Sequence, residues 1–193
     1  MANLYCTPIT GNINKFICGT RRGGLVGEIY VANLGQVDEI SSTTNDKNID
    51  TITMLVDPNT TNPYFWYRIQ FKKNTAGLNN EVQFGNNIFV NQNITFTVEG
   101  ITADSLEVLE EMVDGEAVFI AKDYQGVWHI LGRVGGLMAS AMNLGTGSAA
   151  DDLYGGVITF SSEEPEFSNV VVSGTTITVL AEDGVHTETI TLN

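Results

Sequence analysis

Basic side chains are scarce in this sequence and stop well before its end. All nine Lys and Arg residues fall within residues 1–133, and residues 134–193 contain eight acidic residues without a single Lys or Arg. The net charge is −14. Binding to DNA or RNA by neutralising phosphates needs clustered Lys and Arg, so this composition argues against it. The acidic excess then serves either solubility or a functional electrostatic field.

Cysteine is nearly absent, because the chain contains only Cys6 and Cys18. Their spacing is not the CxxC spacing of zinc sites, and no His lies near them, so we predict no zinc site. Two buried free thiols or, outside cells, a disulfide both remain compatible with the sequence. We predict no metal and no cofactor.

Long hydrophobic runs are also missing. No stretch of about 18 apolar residues occurs, so we predict no membrane-spanning segment. The first ten residues, MANLYCTPIT, lack a basic segment followed by an apolar run, and we therefore predict no signal peptide.

Charged residues of either sign make up only 17% of the chain, whereas hydrophobic residues make up 42%. This balance argues against a disordered chain. Asn, Thr, Ser and Gly occupy positions where Lys and Glu are usual, and such neutral polar surfaces suit β-sheets and protein–protein contacts.

One segment has the pattern of an α-helix, and we predict it at about residues 104–114. Asp104 is the predicted N-cap, with Glu107 as its capping-box partner and Gly115 just beyond the C-terminus. Leu106, Leu109 and Val113 recur at helical spacing and are expected to face a core. A hairpin follows, with its turn at Asp123–Gly126.

Most of the remaining chain alternates in the way strands do. The segments with this pattern are Val26–Asn33, Val37–Ile40, Thr51–Val56, Phe65–Phe71, Val82–Phe84, Ile88–Val90, Ile94–Val98, Val157–Phe160, Asn169–Val172, Ile177–Leu180 and Val185–Leu192. We predict a mainly β fold, an antiparallel β-sandwich or partial barrel of about ten strands with one flanking helix. Residues 1–22 are predicted to form an N-terminal arm, and residues 23–193 a single β-rich domain.

No arrangement of side chains indicates catalysis, so we do not predict an enzyme. His129 and His186 each lack a nucleophile or ligand partner nearby in sequence. Gly145–Ala150 resembles a dinucleotide fingerprint but has no βαβ context. The aromatic run Tyr64–Tyr67 suggests a sugar-stacking platform, although strand geometry sends alternate rings to opposite faces.

Three features together resemble the tube-forming major tail proteins of phages and contractile injection systems. The first is the order of strand, helix and hairpin over residues 95–134. The second is GSAADDLYGGVITF at 147–160, followed by an acidic turn that contains a proline. The third is GEIYVAN at 27–33.

This resemblance implies a virion structural protein, assembled in the host cytoplasm, in which six copies form a ring and stacked rings form a tail tube. Its partners would be copies of itself and other tail or neck proteins, and DNA would pass through without binding. The acids assigned to an acidic lumen or surface are Asp151, Asp152, Glu163, Glu164 and Glu166. The residues assigned to assembly contacts, in the N-terminal arm and in long loops at 41–63 and 72–87, are Arg21, Arg22, Asn45, Lys47, Lys72 and Lys73.

Two other functions remain open at this point. A head–tail connector or head decoration protein would share the composition and the reliance on assembly. A secreted carbohydrate-binding or adhesin β-sandwich would instead use the aromatic run.

Overall fold

The computed structural model describes residues 23–43, 47–60, 62–71, 74–85, 87–100, 102–146, 154–181 and 186–193. In these residues the fold is mainly β with a single α-helix, as predicted. The strands are β1 Leu25–Asn33, β2 Val37–Ser41, β3 Asn48–Ile49, β4 Thr51–Met54, β5 Tyr67–Gln70, β6 Gly77–Phe84, β7 Ile88–Glu99, β8 Ala117–Asp123, β9 Trp128–Leu131, β10 Met138–Gly145, β11 Gly155–Glu164, β12 Asn169–Val171, β13 Thr176–Leu180 and β14 Thr187–Thr191. The predicted N-terminal arm at 1–22 lies outside the described residues.

The strands form two larger sheets and two ribbons. A six-stranded sheet has the order β3-β12-β9-β8-β1-β5, and a four-stranded sheet has the order β10-β11-β7-β6. The ribbons pair β2 with β4 and β13 with β14. Neither larger sheet closes into a barrel in the part of the chain described here. Of the two predicted alternatives, a β-sandwich or a partial barrel, the described residues are consistent with the β-sandwich.

The six-stranded sheet is the middle layer, which β8 shows most clearly. All residues from Ala117 to Ala121 are buried. Phe119 and Ala121 pack into one hydrophobic core, whereas Val118 and Ile120 pack into another on the opposite face. A strand that is buried on both faces has a continuous run of apolar residues in its sequence, and residues 117–121, AVFIA, are such a run.

The first core lies between the two larger sheets. Its centre is a group of three buried phenylalanines, Phe96, Phe119 and Phe160, whose ring centroids lie 4.9–6.3 Å apart. Each buried Phe contributes about 1.5–3 kcal/mol through removal of its surface from water. These contacts fix the four-stranded sheet onto the middle layer.

The second core lies on the other side of the middle layer, beneath the two ribbons. Trp66 and Tyr30 are fully buried there, together with Val179 and Ile177 from β13. The ribbons thus form a third layer. All four of their strands lie at predicted strand segments.

The helix α1 spans Ala103–Val113, close to the predicted range. The N–H of Leu106 donates to the carbonyl of Thr102, so the helix starts one residue before the predicted N-cap at Asp104. Leu109 is buried in the first core as expected. Val113 is exposed, and its predicted place in the core is wrong.

The predicted hairpin occurs. Asp123 accepts hydrogen bonds from the N–H groups of Gln125 and Val127, and Gly126 has a positive φ of 86°, which forms the turn between β8 and β9. β13 and β14 also pair with each other as antiparallel strands, and residues 182–185 between them lie outside the described residues.

The two strands at the centre of the four-stranded sheet are longer than predicted. β7 runs without interruption for 12 residues and joins the predicted segments Ile88–Val90 and Ile94–Val98. β11 continues through Glu164, where an acidic turn was predicted. Gly155 and Gly156 begin β11. A Cβ on Gly155 would lie 2.0 Å from the carbonyl oxygen of Val98, so only glycine permits this approach of β11 to β7.

Candidate assembly surface

The four-stranded sheet has one face on the first core and one face turned away from it. We call the second face the outer face. Its residues are Gly77, Asn79, Glu81, Gln83, Phe89, Asn91, Asn93, Thr95, Thr97, Glu99, Ala141, Asn143, Gly145, Val157, Thr159, Ser161 and Glu163. They alternate with residues such as Ile94 and Phe160, which are fully buried on the core side.

Most side chains of the outer face are neutral and polar, or acidic, but Phe89, Ala141 and Val157 are apolar. None of the four strands contains Lys or Arg. Across the strands the register places Glu81, Asn91 and Glu163 in one row. Two rows further along the strands, the hydroxyls of Thr95 and Thr159 lie 3.0 Å apart and share a hydrogen bond. The face therefore presents oxygen and amide groups with a negative charge.

The two edges of this sheet are β6 and β10. Each strand is eight residues long, and among the described residues no other strand pairs with the outward side of either one. An unpaired edge presents a row of backbone N–H and C=O groups that can pair with another chain. The edges of the middle sheet are shorter, at two residues for β3 and four for β5.

Exposed hydrophobic side chains lie at one end of both edges. Phe84, the last residue of β6, is 80% exposed, and Met138, the first residue of β10, is 55% exposed. Val134, in the loop just before β10, is 53% exposed. Large exposed apolar groups next to open strand edges are typical of contact surfaces between proteins.

The loop before β10 is fixed by Glu164, which is only 1% exposed. Its Oε1 accepts a hydrogen bond of 2.9 Å from the N–H of Gly135. Burial raises the pKa of this carboxyl above its usual range, although the N–H groups of Gly135 and Val134 oppose the shift. The other oxygen, Oε2, is buried without a hydrogen-bond partner. Such an arrangement favours the protonated acid.

Gln92 connects the same loop to the end of β11. Its Oε1 accepts from the N–H of Gly132 at 3.0 Å, and its Nε2 donates to the carbonyl of Glu166 at 2.8 Å. Gln92 is buried, so these bonds satisfy both ends of an amide that would otherwise be costly to bury. The loop is therefore held from two sides.

Glu166 is neutralised inside its own chain. Its Oε2 lies 2.5 Å from Nζ of Lys47, and its Oε1 lies 2.8 Å from a guanidinium nitrogen of Arg133. Glu166 therefore does not add to an open acidic surface. Lys47, predicted to make assembly contacts, has an ion-pair partner within the chain.

The structure separates the three described acids that the sequence grouped together. Glu163 is exposed on the outer face. Glu164 is buried, so its assignment to an acidic surface is wrong, because β11 continues and turns this position inward. Asp151 and Asp152 lie outside the described residues, as do Arg21, Arg22, Asn45, Lys72 and Lys73, together with Cys6 and Cys18.

Only the end of the edge strand β6 was predicted, as Val82–Phe84, and 72–87 was assigned to a long loop, whereas residues 77–84 are all in a strand. Glu81 and Phe84 were therefore not recognised as surface residues of interest. The alternation of Asn79, Glu81 and Gln83 with Leu78 and Val82 was the available signal.

Metal-ligating and aromatic side chains were the other candidates for a functional site. Among the described residues, no group of three or more His, Cys, Asp and Glu side chains is placed to hold a metal ion. His129 Nε2 lies 3.1 Å from Asp123 in the β8–β9 hairpin, where the pair holds the turn. The rings of Phe65 and Tyr67 meet edge to face at 63°, and Trp66 between them is buried, so the aromatic run offers no flat stacking platform.

A cleft of about 150 Å³ lies between the end of α1 and the start of β8. Apolar side chains of Val31, Val108 and Met112 line it together with polar groups, among them Tyr67 and Glu111. Burial, and secondarily the charge of Glu111, raises the pKa of the Tyr67 hydroxyl.

In the part of the chain that the structure describes, no helix has the length and apolar character needed to cross a membrane. No family model, no curated protein and no solved structure matches the chain.

Proposed function

We propose that this protein is a self-assembling structural subunit of a phage virion, a tail tube protein whose four-stranded sheets join edge to edge around a ring. One observation carries the proposal. Within the described residues, the sheet has two open edges of equal length that run in opposite directions, and its four strands contain no basic side chain.

The direction of the edges follows from the topology. Each neighbouring pair in the order β10-β11-β7-β6 is antiparallel. With four strands, β6 and β10 therefore run in opposite directions. When two copies stand side by side in the same orientation, β6 of one meets β10 of the next as an antiparallel pair. Repetition of this head-to-tail contact generates a ring when the rotation from one copy to the next closes on itself.

The faces of the sheet restrict the register of this contact. Core-facing residues must lie opposite core-facing residues, because a slip by one position would turn every side chain to the other face. A register with Val82 opposite Met142 meets this condition and pairs two apolar side chains. The same register places Glu81 opposite Asn143 on the outer face.

In a ring formed this way, the outer faces line one continuous surface. On the concave side, that surface becomes the wall of a channel. Carboxylates such as Glu81 and Glu163 repel phosphates along the whole wall, and no cation in the four strands provides a place to bind. DNA then passes as cargo and is not held.

The neutral side chains of the outer face fit the same role. Asn, Thr and Ser side chains hydrate the channel wall and carry no positive charge that would bind a phosphate. Cross-strand hydrogen bonds such as that between Thr95 and Thr159 hold these side chains in place. The resemblance implies six copies in a ring and other tail or neck proteins as end partners in the virion.

Negative-stain electron microscopy of the purified protein, combined with sedimentation velocity over a range of concentrations, tests the proposal. We expect rings that stack into tubes as concentration rises. Rings that never stack would favour a head–tail connector. A monomer at every concentration, with glycan binding, would contradict the proposal in favour of an adhesin.

A further inference from the structure

The charges of this chain are divided unevenly between its first 22 residues and the rest. Residues 1–22 contain Lys15, Arg21 and Arg22 and no Asp or Glu. Residues 23–193 contain six Lys and Arg residues against 23 acids, which gives a net charge of −17. The N-terminal segment is therefore complementary in charge to the body of the protein, its own or that of a neighbouring copy.

The Lys and Arg residues that the structure describes already have partners in their own chain. These are Lys47 and Arg133 with Glu166, Arg68 with Glu188, and Lys122 with the backbone oxygen of Asn193. An acidic surface elsewhere must then draw its cations from the other five, and three of those five lie in residues 1–22.

A groove of about 390 Å³ lies between α1 and the edge strand β10. Two of its lining residues, Glu110 and Asp114, are acidic and exposed. The others are apolar, namely Leu106, Leu109, Val113, Met142 and Leu144. A groove with apolar walls and carboxylates fits a side chain with an apolar stem and a cationic end, and arginine has both.

The two carboxylates of this groove occupy positions that the helix itself disfavours. Glu110 lies in the last turn of α1, Asp114 follows its final residue, and this turn contains no basic side chain. Negative charge near a helix C-terminus opposes the macrodipole, and like charges four positions apart repel each other. A cation bound at this end of α1 relieves both effects.

The described chain begins beside the other open edge of the four-stranded sheet. The N–H of Leu25 donates to the carbonyl of Ala76 at 3.1 Å, and Ala76 directly precedes β6. Both residues are buried in the first core, so residue 23 lies near the start of β6 on the core side of the sheet. The groove is on the same side, because Met142 and Leu144 also pack against the first core.

We propose that Arg21 and Arg22 of one copy bind in this groove of the next copy, with their guanidinium groups at Glu110 and Asp114. The inference rests on the proposed function, because pairing of β6 with β10 brings the two features together. The ion pairs offset only part of the repulsion between copies of net charge −14. They tie each junction at a second place besides the strand edges.

The distances allow this contact across one junction. The register proposed above places Asn80 of one copy opposite Leu144 of the next. Ala76 lies four residues before Asn80, about 13 Å along the chain. Arg22 precedes Leu25 by three residues, and three residues of extended chain span about 10 Å. With the length of an arginine side chain added, the guanidinium group reaches the groove.

A direct path to the groove within one chain is filled. The start of β6 and the end of β10 lie at opposite edges of the sheet, with β7 and β11 between them. On the core side, buried residues such as Phe96 and Phe160 occupy the space between those edges. The short route therefore connects two copies.

Photo-crosslinking from the wall of the groove tests this contact without removing a charge. Val113, which is 38% exposed, is replaced by p-benzoylphenylalanine, and this chain is mixed with an excess of isotope-labelled unmodified chain before irradiation. We expect crosslinks between chains that map to residues 18–22. Crosslinks to this segment within one chain only, or between chains only at other segments, would overturn the inference.

The matched control uses the same helix. Val108 is 42% exposed and lines the cleft on the other side of α1. With p-benzoylphenylalanine at Val108, residues 18–22 should not be crosslinked. Equal crosslinking from both positions would mean that the segment has no preference for the groove, and the inference would be wrong.

A further experiment separates this inference from the function on which it rests. In a background with Cys6→Ser and Cys18→Ser, chains carrying Glu81→Cys are mixed with chains carrying Asn143→Cys, and mixed disulfides report edge pairing. If these disulfides form and the segment is not crosslinked to the groove, only the groove contact is wrong. If neither link forms, both proposals are wrong.

Charge reversal measures the strength of the contact. Arg21→Glu combined with Arg22→Glu should raise the concentration needed for half assembly by about threefold or more, since each exposed ion pair is worth a factor of up to about five. Adding Glu110→Lys should restore assembly. Glu107→Lys, at an exposed position of the same helix outside the groove, should not. Equal recovery with the two lysines, or no effect of the reversal, would overturn the contact.

Discussion

At the scale of single residues, Glu164 shows what the sequence could and could not reveal. The sequence alone does not distinguish Glu163, Glu164 and Glu166, which lie in one acidic segment. Once β11 is known to continue through Glu164, parity with Ile158 and Phe160 places Glu164 on the core side. The partners of Glu164 and Glu166 come from distant segments, and only the fold brings Gly135, Arg133 and Lys47 to them.

The buried carboxyl of Glu164 should make stability depend on pH. Its folded pKa is raised above the ordinary 4.5, so between that value and the raised pKa the folded state binds more protons than the unfolded state. The free energy of unfolding therefore falls as pH rises through this window. Glu164→Gln removes the titration, and its stability relative to wild type should improve as pH increases.

Urea unfolding from about pH 4 to about pH 8 measures this difference. Glu163→Gln is the control, since this neighbour is exposed and should keep the wild-type pH dependence. A constant difference between wild type and Glu164→Gln across the range would show that Glu164 does not titrate as described.

At the scale of elements, the local signals were sufficient for some segments and insufficient for others. The helix and the β8–β9 hairpin were predictable because caps, turn residues and periodicity lie within a few positions of one another. The third layer was not predictable, because the ribbons pack through Trp66, Val179 and other residues that are distant in sequence. The first half of β6 was missed because its Asn-rich pattern resembles a loop when the pairing with β7 is unknown.

Charge placed on the edge strand β10 should control association. In the register proposed above, Asn143 lies opposite Glu81 of the next copy. Asn143→Lys should strengthen assembly and Asn143→Asp should weaken it, each by about twofold to fivefold per contact, as exposed cross-strand pairs contribute about 0.2–1 kcal/mol. Sedimentation equilibrium provides the association constants.

A double-mutant cycle with Glu81→Gln shows whether the effect comes from this pair. The gain from Asn143→Lys should disappear in the Glu81→Gln background, because the lysine then has no carboxylate opposite it. A gain that persists would place a different residue opposite position 143.

At the scale of the whole molecule, charge and architecture act against each other. Net charge of −14 repels copies from one another, whereas open edges and exposed apolar groups draw them together. Composition alone indicated the acidic excess and the neutral polar surface. It could not show that the described acids of the four-stranded sheet separate into an exposed set and a buried one, because that depends on the fold.

Salt should therefore promote assembly. At an ionic strength of about 0.01 M the Debye length is about 30 Å, so the copies repel one another across a whole junction. Raising the ionic strength to about 0.15 M shortens the Debye length to about 8 Å and screens this repulsion. We expect light scattering to show more assembled protein as sodium chloride rises. Dissociation of the assemblies when salt is added would contradict this prediction, because it would mean that attractive ion pairs hold the copies together.

Hydrogen exchange of the backbone amides in dilute and concentrated protein tests the edge-to-edge joining of the four-stranded sheet most directly. The account predicts that amides on the outward sides of β6 and β10 become protected together at high concentration, while β5, an edge of the middle sheet, exchanges as before. Protection of β5 alone, or no new protection in β6 and β10 once the protein has assembled, would contradict it.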